Sequence, residues 1–195
     1  MLYFVLAFSA YLIGSVPFAY VIVKIASGKD IRQHGSGNVG ATNAYRLVGL
    51  PLAILTFLLD FLKGFAVVFW LAPALIPEKA AALVIGALFV LLGHMFTAFL
   101  RFKGGKGAAT GLGVVTALSP LGALAAFILW GIVVKVGRMV SLATIMAASA
   151  AAALSFLLYP QQLSVNIFIA AMVLLVIFRH WKNIVRICHG TENKV

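Results

Sequence analysis

Apolar runs of about twenty residues are the feature that most constrains this chain. They occupy most of its 195 residues, and 64% of the residues are hydrophobic, with a mean hydropathy of +1.12. Soluble domains are about 45–50% apolar, whereas a helix of about 20 apolar residues crosses the hydrocarbon layer of a bilayer. The sequence therefore predicts an all-α, polytopic integral membrane protein, with residues 1–195 in a single transmembrane domain.

Positive charge dominates the polar part of the chain. Fifteen Lys and Arg residues stand against four acidic residues, which gives a formal net charge of +11. In a soluble protein this excess would suggest nucleic-acid binding, but membrane proteins concentrate cations on their cytoplasmic side. We predict no nucleic-acid partner, and we assign part of the excess to membrane lipids or a phosphorylated substrate. The four histidines and four acids show no metal-ligand spacing, so no metal and no cofactor are predicted.

The basic clusters also decide the predicted topology. If residues 108–134 crossed the membrane fully, the basic clusters after them would lie outside, against the positive-inside rule. A re-entrant hairpin over 108–134, turning at Ser119-Pro120, keeps those clusters inside; a simple kinked span is the alternative. We expect a bundle of about seven helices with its N-terminus outside and its C-terminus inside. The elements expected besides the hairpin are a short helix near 38–48 and five full crossings at 1–24, 51–76, 80–100, 140–159 and 163–178.

The first polar stretch runs from Gly35 to Asn43 and reads Gly-Ser-Gly-Asn-Val-Gly-Ala-Thr-Asn. Its G-x-G-x-x-G spacing is weak evidence for a dinucleotide site, because that motif needs a preceding strand. Glycines still let backbone N–H groups approach an anion, and a helix N-terminus favours negative charge. A capped flexible loop is the alternative, but it would not require so many amide and hydroxyl groups. The candidate site residues here are Ser36, Asn38, Gly40, Thr42, Asn43 and Arg46.

The second polar stretch contains two lysines and three glycines within five residues. It does not match the nucleotide P-loop pattern. It does combine a glycine-rich backbone, lysine charges and a helix start at Ala108, which are the parts of a phosphate cradle. A positive-inside loop would explain the lysines but not the glycines. The predicted substrate-binding residues are Lys103, Gly104, Gly105, Lys106 and Gly107.

A third polar region combines residues 138–141 with residues 179–186. On a helix, Arg179, Asn183 and Arg186 share one face, and His180 lies beside it. An amphipathic segment lying on anionic lipid explains the spacing equally well. The candidate site residues here are Ser141, Arg179, His180 and Asn183.

Three ionisable side chains fall within the apolar spans. Asp60 and Lys63 lie three residues apart, so we expect them to form a structural ion pair on one helix. His94, near the end of a span, is expected to be a packing histidine. Neither the spans nor the polar stretches contain a recognisable nucleophile–base pair.

Together the three polar stretches resemble the bacterial acyl-phosphate:glycerol-3-phosphate acyltransferase family (PlsY family). The resemblance rests on the Gly35–Asn43 stretch, on Gly93-His94 with the 103–107 loop, and on Arg179-His180 with the polar residues after them. It covers nearly the whole chain, from Leu12 to Glu192. It implies one acyltransferase domain in the bacterial inner membrane, with the active site on the cytoplasmic side and no obligate protein partner.

The resemblance also implies a reaction. Members of this family transfer a fatty acyl group from acyl phosphate to the 1-hydroxyl of glycerol 3-phosphate, giving lysophosphatidic acid and inorganic phosphate in the first step of phospholipid synthesis. It assigns the second stretch to glycerol 3-phosphate, and it leaves Glu192 as a structural acid. The functional positions that it implies are Ser36, Arg46, His180 and Asn183.

The residues are compatible with direct attack of the glycerol hydroxyl on the acyl group, because phosphate is a good leaving group. The base is then either His180 or a phosphate oxygen of a substrate. No histidine here has an aspartate five positions later, as acyl-CoA-dependent enzymes of this type do. Two other functions fit the composition, an anion transporter and a structural lipid-binding protein. The transporter would usually show internal repeats, and the structural role leaves the polar side chains unexplained.

Overall fold

A computed structural model describes residues 1–77 and 79–195, and every regular element in these ranges is helical. The all-α prediction is therefore confirmed. The α-helices are α1 (Leu2–Ser15), α2 (Phe18–Ser27), α3 (Ala41–Val48), α4 (Leu50–Ala66), α5 (Ala72–Leu75), α6 (Ala80–Met95), α7 (Ala108–Leu118), α8 (Pro120–Gly137), α9 (Val140–Leu158), α10 (Leu163–Arg179) and α11 (Trp181–Cys188). A π-helical turn, Val67–Leu71, joins α4 to α5, and short 3-10 turns occupy Ile31–Gln33 and Ala98–Leu100.

Within the described residues, five helical segments are long and apolar enough to cross a membrane, as expected for an integral membrane protein. They are Leu2–Ser27, Leu50–Leu75, Ala80–Leu100, Pro120–Gly137 and Val140–Leu158. Helices α10 and α11 meet at a bend of 60°, and counting them as one broken span gives six.

Three predicted elements differ in the structure. The crossing predicted over 163–178 corresponds to α10, which is long enough for a span only together with the bent α11, whereas Pro120–Gly137 is a candidate span by itself. The short helix begins at Ala41 rather than near residue 38, because Gly40 is still extended and serves as its N-cap. The predicted hairpin does break at Ser119, but its limbs are unequal. Helix α7 has 11 residues and α8 has 18, which correspond to about 16 and 27 Å of helix. Helix α7 is therefore too short to cross a bilayer alone, whereas α8 is long enough by itself.

The chain forms two compact units, Met1–Val114 and Val115–Val195. Helix α7 begins in the first unit and ends in the second. The single acyltransferase domain stays a prediction.

In the first unit, helix α1 packs closely on α6 because both carry glycine at the crossing. A Cβ on Gly14 would overlap the backbone of Val90, and one on Gly93 would overlap the carbonyl of Tyr11. The first span is broken at Val16-Pro17, where α1 stops and α2 begins. The Thr97 hydroxyl donates to the buried carbonyl of Ser15 at 2.5 Å. A carbonyl at the break is therefore hydrogen-bonded inside the apolar layer.

In the second unit, helix α9 packs against both α8 and α10. A buried amide joins the last pair, since Asn166 Nδ2 donates to the Tyr159 carbonyl at 2.8 Å and its Oδ1 accepts from the Ser155 hydroxyl at 2.5 Å. Small residues line α9, so the helices can approach closely. The bend between α10 and α11 turns the last helix away from the direction of the span.

Candidate active site

The first polar stretch forms a loop that ends at α3. Arg32 holds Asp30 through its Nη2 atom at 2.6 Å and through Nε at 3.0 Å. This hydrogen-bonded pairing lowers the pKa of Asp30 to about 2. The His34 ring donates from Nδ1 to the Asp30 carbonyl at 2.9 Å, because a carbonyl can only accept. These bonds close the loop on itself before the Gly35–Asn43 stretch begins.

Asn43 fastens this loop to helix α3. Its side-chain oxygen accepts the backbone N–H of Ser36 at 3.0 Å, and its amide group donates to the carbonyls of Ile31 at 3.1 Å and His34 at 3.0 Å. The residue is completely buried. Gly35 has φ +60°, and a Cβ there would overlap Asn43 Oδ1. Asn43 was predicted to bind substrate, but its amide is committed to the backbone, so it positions the loop.

The remaining candidates of the first stretch are more accessible. Ser36 and Arg46 are exposed, whereas Asn38, Gly40 and Thr42 are partly buried. Ser36 is therefore held through its backbone N–H in an exposed position. Arg46 lies in the last turn of α3. The loop thus presents a hydroxyl and a guanidinium group on a backbone that Asn43 keeps in place.

The second polar stretch lies against the end of helix α6. The backbone N–H groups of Gly104 and Gly105 donate to the carbonyls of Met95 and His94, both at 3.1 Å. They are therefore committed to the fold, which corrects the idea that these N–H groups cradle a phosphate. The other groups of the loop that could bind an anion by their charge are its lysine side chains, and α7 starts just after it at Ala108.

The three glycines of this loop have packing reasons. A Cβ on Gly104 would overlap the His94 carbonyl, and one on Gly105 would overlap His94 Nε2 and lie 2.6 Å from the Val39 carbonyl. Gly107 has φ +88°, which favours glycine. Close packing therefore accounts for the glycines without a ligand. Lys103 is exposed, Lys106 is partly buried, and Thr110 is buried one turn into α7.

Asp60, Lys63 and His94 meet in the interior of the first unit. Lys63 Nζ lies 2.7 Å from Asp60 Oδ1, which confirms the predicted ion pair, and His94 Nδ1 lies 3.5 Å from the same oxygen. Lys63 also donates to the Val16 carbonyl at 2.9 Å. All three side chains are at least nine-tenths buried. A small cavity beside them is lined by the Gly14–Ala19 break and by Gly104 and Gly105.

In the second unit, Glu192 is the centre of the third polar region. Its Oε1 atom accepts from the Ser141 hydroxyl at 2.7 Å and from Asn183 Nδ2 at 2.6 Å, and its Oε2 atom accepts from Arg186 Nε at 2.7 Å. Burial raises the pKa of Glu192, but the bonds from Asn183, Ser141 and Arg186 outweigh it, so the pKa lies below that of an ordinary glutamate. The candidates Ser141 and Asn183 are thus held by an acid.

His180 lies at the junction of α10 and α11 and is buried. Its Nδ1 atom lies 2.8 Å from the Val176 carbonyl, and a carbonyl only accepts, so Nδ1 carries the proton. In the neutral form of the ring, Nε2 is then the nitrogen without a proton. Arg179, the last residue of α10, is partly buried. This tautomer is the one that a histidine base acting through Nε2 requires.

The sequence did not indicate that the buried charged residues of the first unit contact the glycine-rich 103–107 loop. Asp60, Lys63 and His94 were interpreted as an ion pair and a packing residue. The structure adds the proximity of the His94 ring to Gly105, where an added Cβ would overlap His94 Nε2. The available signal was the charge itself, because ionisable residues inside a membrane span are rarely without a function.

The family model described as "Glycerol-3-phosphate acyltransferase" matches residues 4–190. The chain belongs to the glycerol-3-phosphate acyltransferase family. A member from Bordetella pertussis is 44% identical over 95% of this chain and 88% of its own length. A member from Staphylococcus aureus is 40% identical over 100% of this chain and 98% of its own.

Two solved structures of this acyltransferase family have the same fold. One is PlsY (YgiH), described as an integral membrane glycerol 3-phosphate acyltransferase in its glycerol 3-phosphate form. It matches with a TM-score of 0.92 and 42% identity, over 99% of this chain and 95% of that chain. The other is the lysophosphatidic acid form, with a TM-score of 0.87 and 40% identity over 98% and 94% of the two chains. The resemblance inferred from the three polar stretches is therefore confirmed.

Proposed function

We propose that this chain transfers a fatty acyl group from acyl phosphate to the 1-hydroxyl of glycerol 3-phosphate, with release of inorganic phosphate. One observation carries the acceptor and the product: the two solved relatives are described in glycerol 3-phosphate and lysophosphatidic acid forms, and both match nearly the whole chain. Acylation of the first compound gives the second. The reaction would be the first step of phospholipid synthesis, with the chain as one acyltransferase domain.

The most specific part of the proposal is that the acyl donor is acyl phosphate. Acyl phosphate is a mixed anhydride, so the phosphate leaves without help from a covalent acyl-enzyme. The glycerol oxygen forms a bond to the acyl carbon, and the bond from that carbon to the phosphate oxygen breaks. Phosphate leaves with the electron pair, and the hydroxyl proton goes to a base. The absence of an aspartate five positions after any histidine supports a donor other than acyl-CoA.

Cations of the first unit are the groups that we assign to phosphate binding. Arg46 is exposed at the end of α3, and Lys106 lies beside the start of α7. Lysine and arginine stabilise the charge that develops on a phosphate or an acyl oxygen during transfer. Because the N–H groups of Gly104 and Gly105 are already bonded, we assign those glycines to loop packing. Ser36 and Asn183 stay proposed as catalytic residues. The residues that stay proposed as substrate contacts are Asn38, Gly40, Thr42, Lys103, Gly107 and Arg179.

His180 is our first candidate for the base. Its Nδ1 proton points to the Val176 carbonyl, which supports proton uptake at Nε2. The alternative base is a phosphate oxygen of a substrate. His180→Gln separates them: a loss of about 100-fold in kcat with unchanged substrate KM supports the histidine base. Near-normal turnover would leave the phosphate oxygen as the base.

The positive-inside rule supports a cytoplasmic site in the bacterial inner membrane, with the N-terminus outside and the C-terminus inside. This orientation can be tested by cysteine labelling in whole cells. A cysteine introduced at Lys79 should react with an impermeant maleimide, and Cys188 should react only after the cells are opened. The reverse pattern would overturn the orientation.

The decisive experiment uses purified protein in detergent with glycerol 3-phosphate and either acyl phosphate or acyl-CoA. Equal amounts of lysophosphatidic acid and inorganic phosphate from acyl phosphate alone would support the proposal. Product from acyl-CoA alone would keep the acceptor and overturn the donor. If folded protein gives neither product, uptake of glycerol 3-phosphate into vesicles would test the transporter alternative.

A further inference from the structure

The charged cluster in the first unit has no part in the proposed reaction, yet it lies directly behind the glycine loop. The cluster consists of Asp60, Lys63 and His94, from helices α4 and α6. Its three side chains are between 2% and 7% exposed. Buried charges in an apolar layer are expensive unless they are paired, and they mark functional positions by default. The contacts of each member indicate what the cluster does.

Lys63 holds the broken first span. Its ammonium group donates to the Val16 carbonyl at 2.9 Å and lies 5.5 Å from the centre of the Phe18 ring. Val16 is the C-cap that follows the last residue of α1, and Pro17 has no N–H to continue the helix. The carbonyls freed by this break need donors, because lipid supplies none. Asp60 keeps Lys63 in place through the 2.7 Å contact.

His94 carries the cluster to the glycine loop. Its Nδ1 atom faces Asp60, while the opposite edge of the ring lies where a Cβ of Gly105 would be. The backbone adds a second link, since the Gly105 N–H donates to the His94 carbonyl. The loop therefore packs against the His94 ring, and Asp60 restrains the rotation of this ring. The position of the ring thus helps to set the position of the lysines on either side of Gly105.

We infer that Asp60, Lys63 and His94 position the 103–107 loop, and that they set the affinity of this loop for the phosphate of a substrate without touching the substrate. The inference rests on the proposed function, because it gives the lysines of the loop a phosphate to bind. A displacement of the loop by a fraction of an ångström would move Lys106 relative to that phosphate.

Two substitutions at His94 separate the two ends of the ring. In His94→Asn, the amide replaces the Nδ1 end and retains the contact with Asp60, but the edge against Gly105 is lost. In His94→Gln, the amide reaches the Nε2 position and retains the contact with Gly105. We expect His94→Asn to raise KM for glycerol 3-phosphate about tenfold, with faster amide hydrogen exchange in residues 103–107. His94→Gln should restore most of both values.

Thr56→Val is the matched control for general damage. Thr56 is buried on α4, one turn before Asp60, and its hydroxyl binds only the Leu52 carbonyl in its own helix. This variant should lower the unfolding temperature without changing KM. A role of His94 in stability alone would give the same pattern in His94→Asn, with a smaller folded fraction and an unchanged KM, and that pattern would overturn the inference.

A direct measurement of substrate binding tests the inference separately from the proposed function. Glycerol 3-phosphate binding is measured by calorimetry on the wild-type protein and both His94 variants, in parallel with turnover of acyl phosphate. If the wild type binds glycerol 3-phosphate but does not turn over acyl phosphate, the donor assignment fails and the binding data still decide the role of His94. If His94→Asn cannot be purified folded, the double variant Asp60→Asn/Lys63→Gln takes its place. Unchanged affinity in that variant overturns the inference.

Discussion

Asn43 and Glu192 each hold a polar segment with three hydrogen bonds, but they do so with opposite chemistry. Asn43 binds only backbone groups, one N–H and two carbonyls. Glu192 binds only side-chain donors, from Ser141, Asn183 and Arg186. An amide both donates and accepts, whereas a carboxylate only accepts. The first loop is therefore held by a neutral group, and the C-terminal region is held by a charge.

The comparison predicts that exchanging amide and carboxylate lowers the stability of the protein at either position. The loss should be larger at Asn43 than at Glu192. Asn43→Asp loses two donors and places a carboxylate against the carbonyls of Ile31 and His34. We expect a loss of about 3–4 kcal/mol in the free energy of unfolding, and a large loss of turnover as the Ser36 backbone moves. Thermal unfolding and acyl-transfer rate measure the two effects.

Gln33→Glu is the control for that change. It makes the same exchange on an exposed side chain of the same loop, and its effect on unfolding should stay within about 0.5 kcal/mol. Equal stability of the Asn43→Asp and Gln33→Glu variants would contradict the view that Asn43 fastens the loop.

Glu192→Gln is the reciprocal exchange and should have the second largest effect. The new amide retains one acceptor oxygen, but its NH₂ group faces a donor from Asn183 or Arg186. We expect a loss of about 2 kcal/mol in unfolding free energy, together with faster hydrogen exchange in residues 190–195. Asn193→Ala, at an exposed neighbouring position, should change neither measurement. A Glu192→Gln variant with wild-type exchange would show that the charge is not what holds the region.

Because Glu192 is charged, the stability of the C-terminal region should depend on pH. The neutral Asn43 side chain adds no such dependence to the first loop. The folded pKa of Glu192 lies below its ordinary value of 4.5. Its stabilisation is therefore complete above about pH 4.5 and is lost as the pH falls through the lower folded pKa. Hydrogen exchange of residues 190–195, corrected for intrinsic rates between pH 6 and 3, should accelerate in the wild type. After the same correction, the exchange rate of the Glu192→Gln variant should not change with pH. An equal pH dependence in the wild type and the variant would show that Glu192 is not its cause.

The smallest effect is expected at Asp30, where the first loop does contain a charge pair. The Asp30 side chain is 17% exposed and that of Arg32 is 33% exposed. Partly exposed pairs contribute about 0–1 kcal/mol, so Asp30→Asn should lower the unfolding temperature only slightly. The pKa of Asp30 is lowered from 3.8 to about 2, so this contribution is present above pH 3.8 and is lost as the pH falls towards 2. If Asp30→Asn lost as much unfolding free energy as Asn43→Asp, the view that the neutral Asn43 contacts stabilise this loop more than its charge pair would be wrong.

The membrane fold and its chemistry could be predicted from local patterns. Apolar runs specify helices in a bilayer because every backbone group must bond within its own segment. The break at Ser119-Pro120 and the pairing of Asp60 with Lys63 follow from proline geometry and from a spacing of three residues. The three polar stretches indicated the acyltransferase family because their residues and their order are local properties of the chain.

Only the tertiary structure decided which polar groups remain available to a substrate. Asn43 and Ser36 can be recognised as polar, but whether an amide faces a ligand or its own loop depends on how the chain folds back over seven residues. Ser141 meets Glu192 across 51 residues, and the N–H groups of Gly104 and Gly105 are bonded by the end of α6. Local sequence determines which groups can form hydrogen bonds, and long-range packing determines which of them are already satisfied.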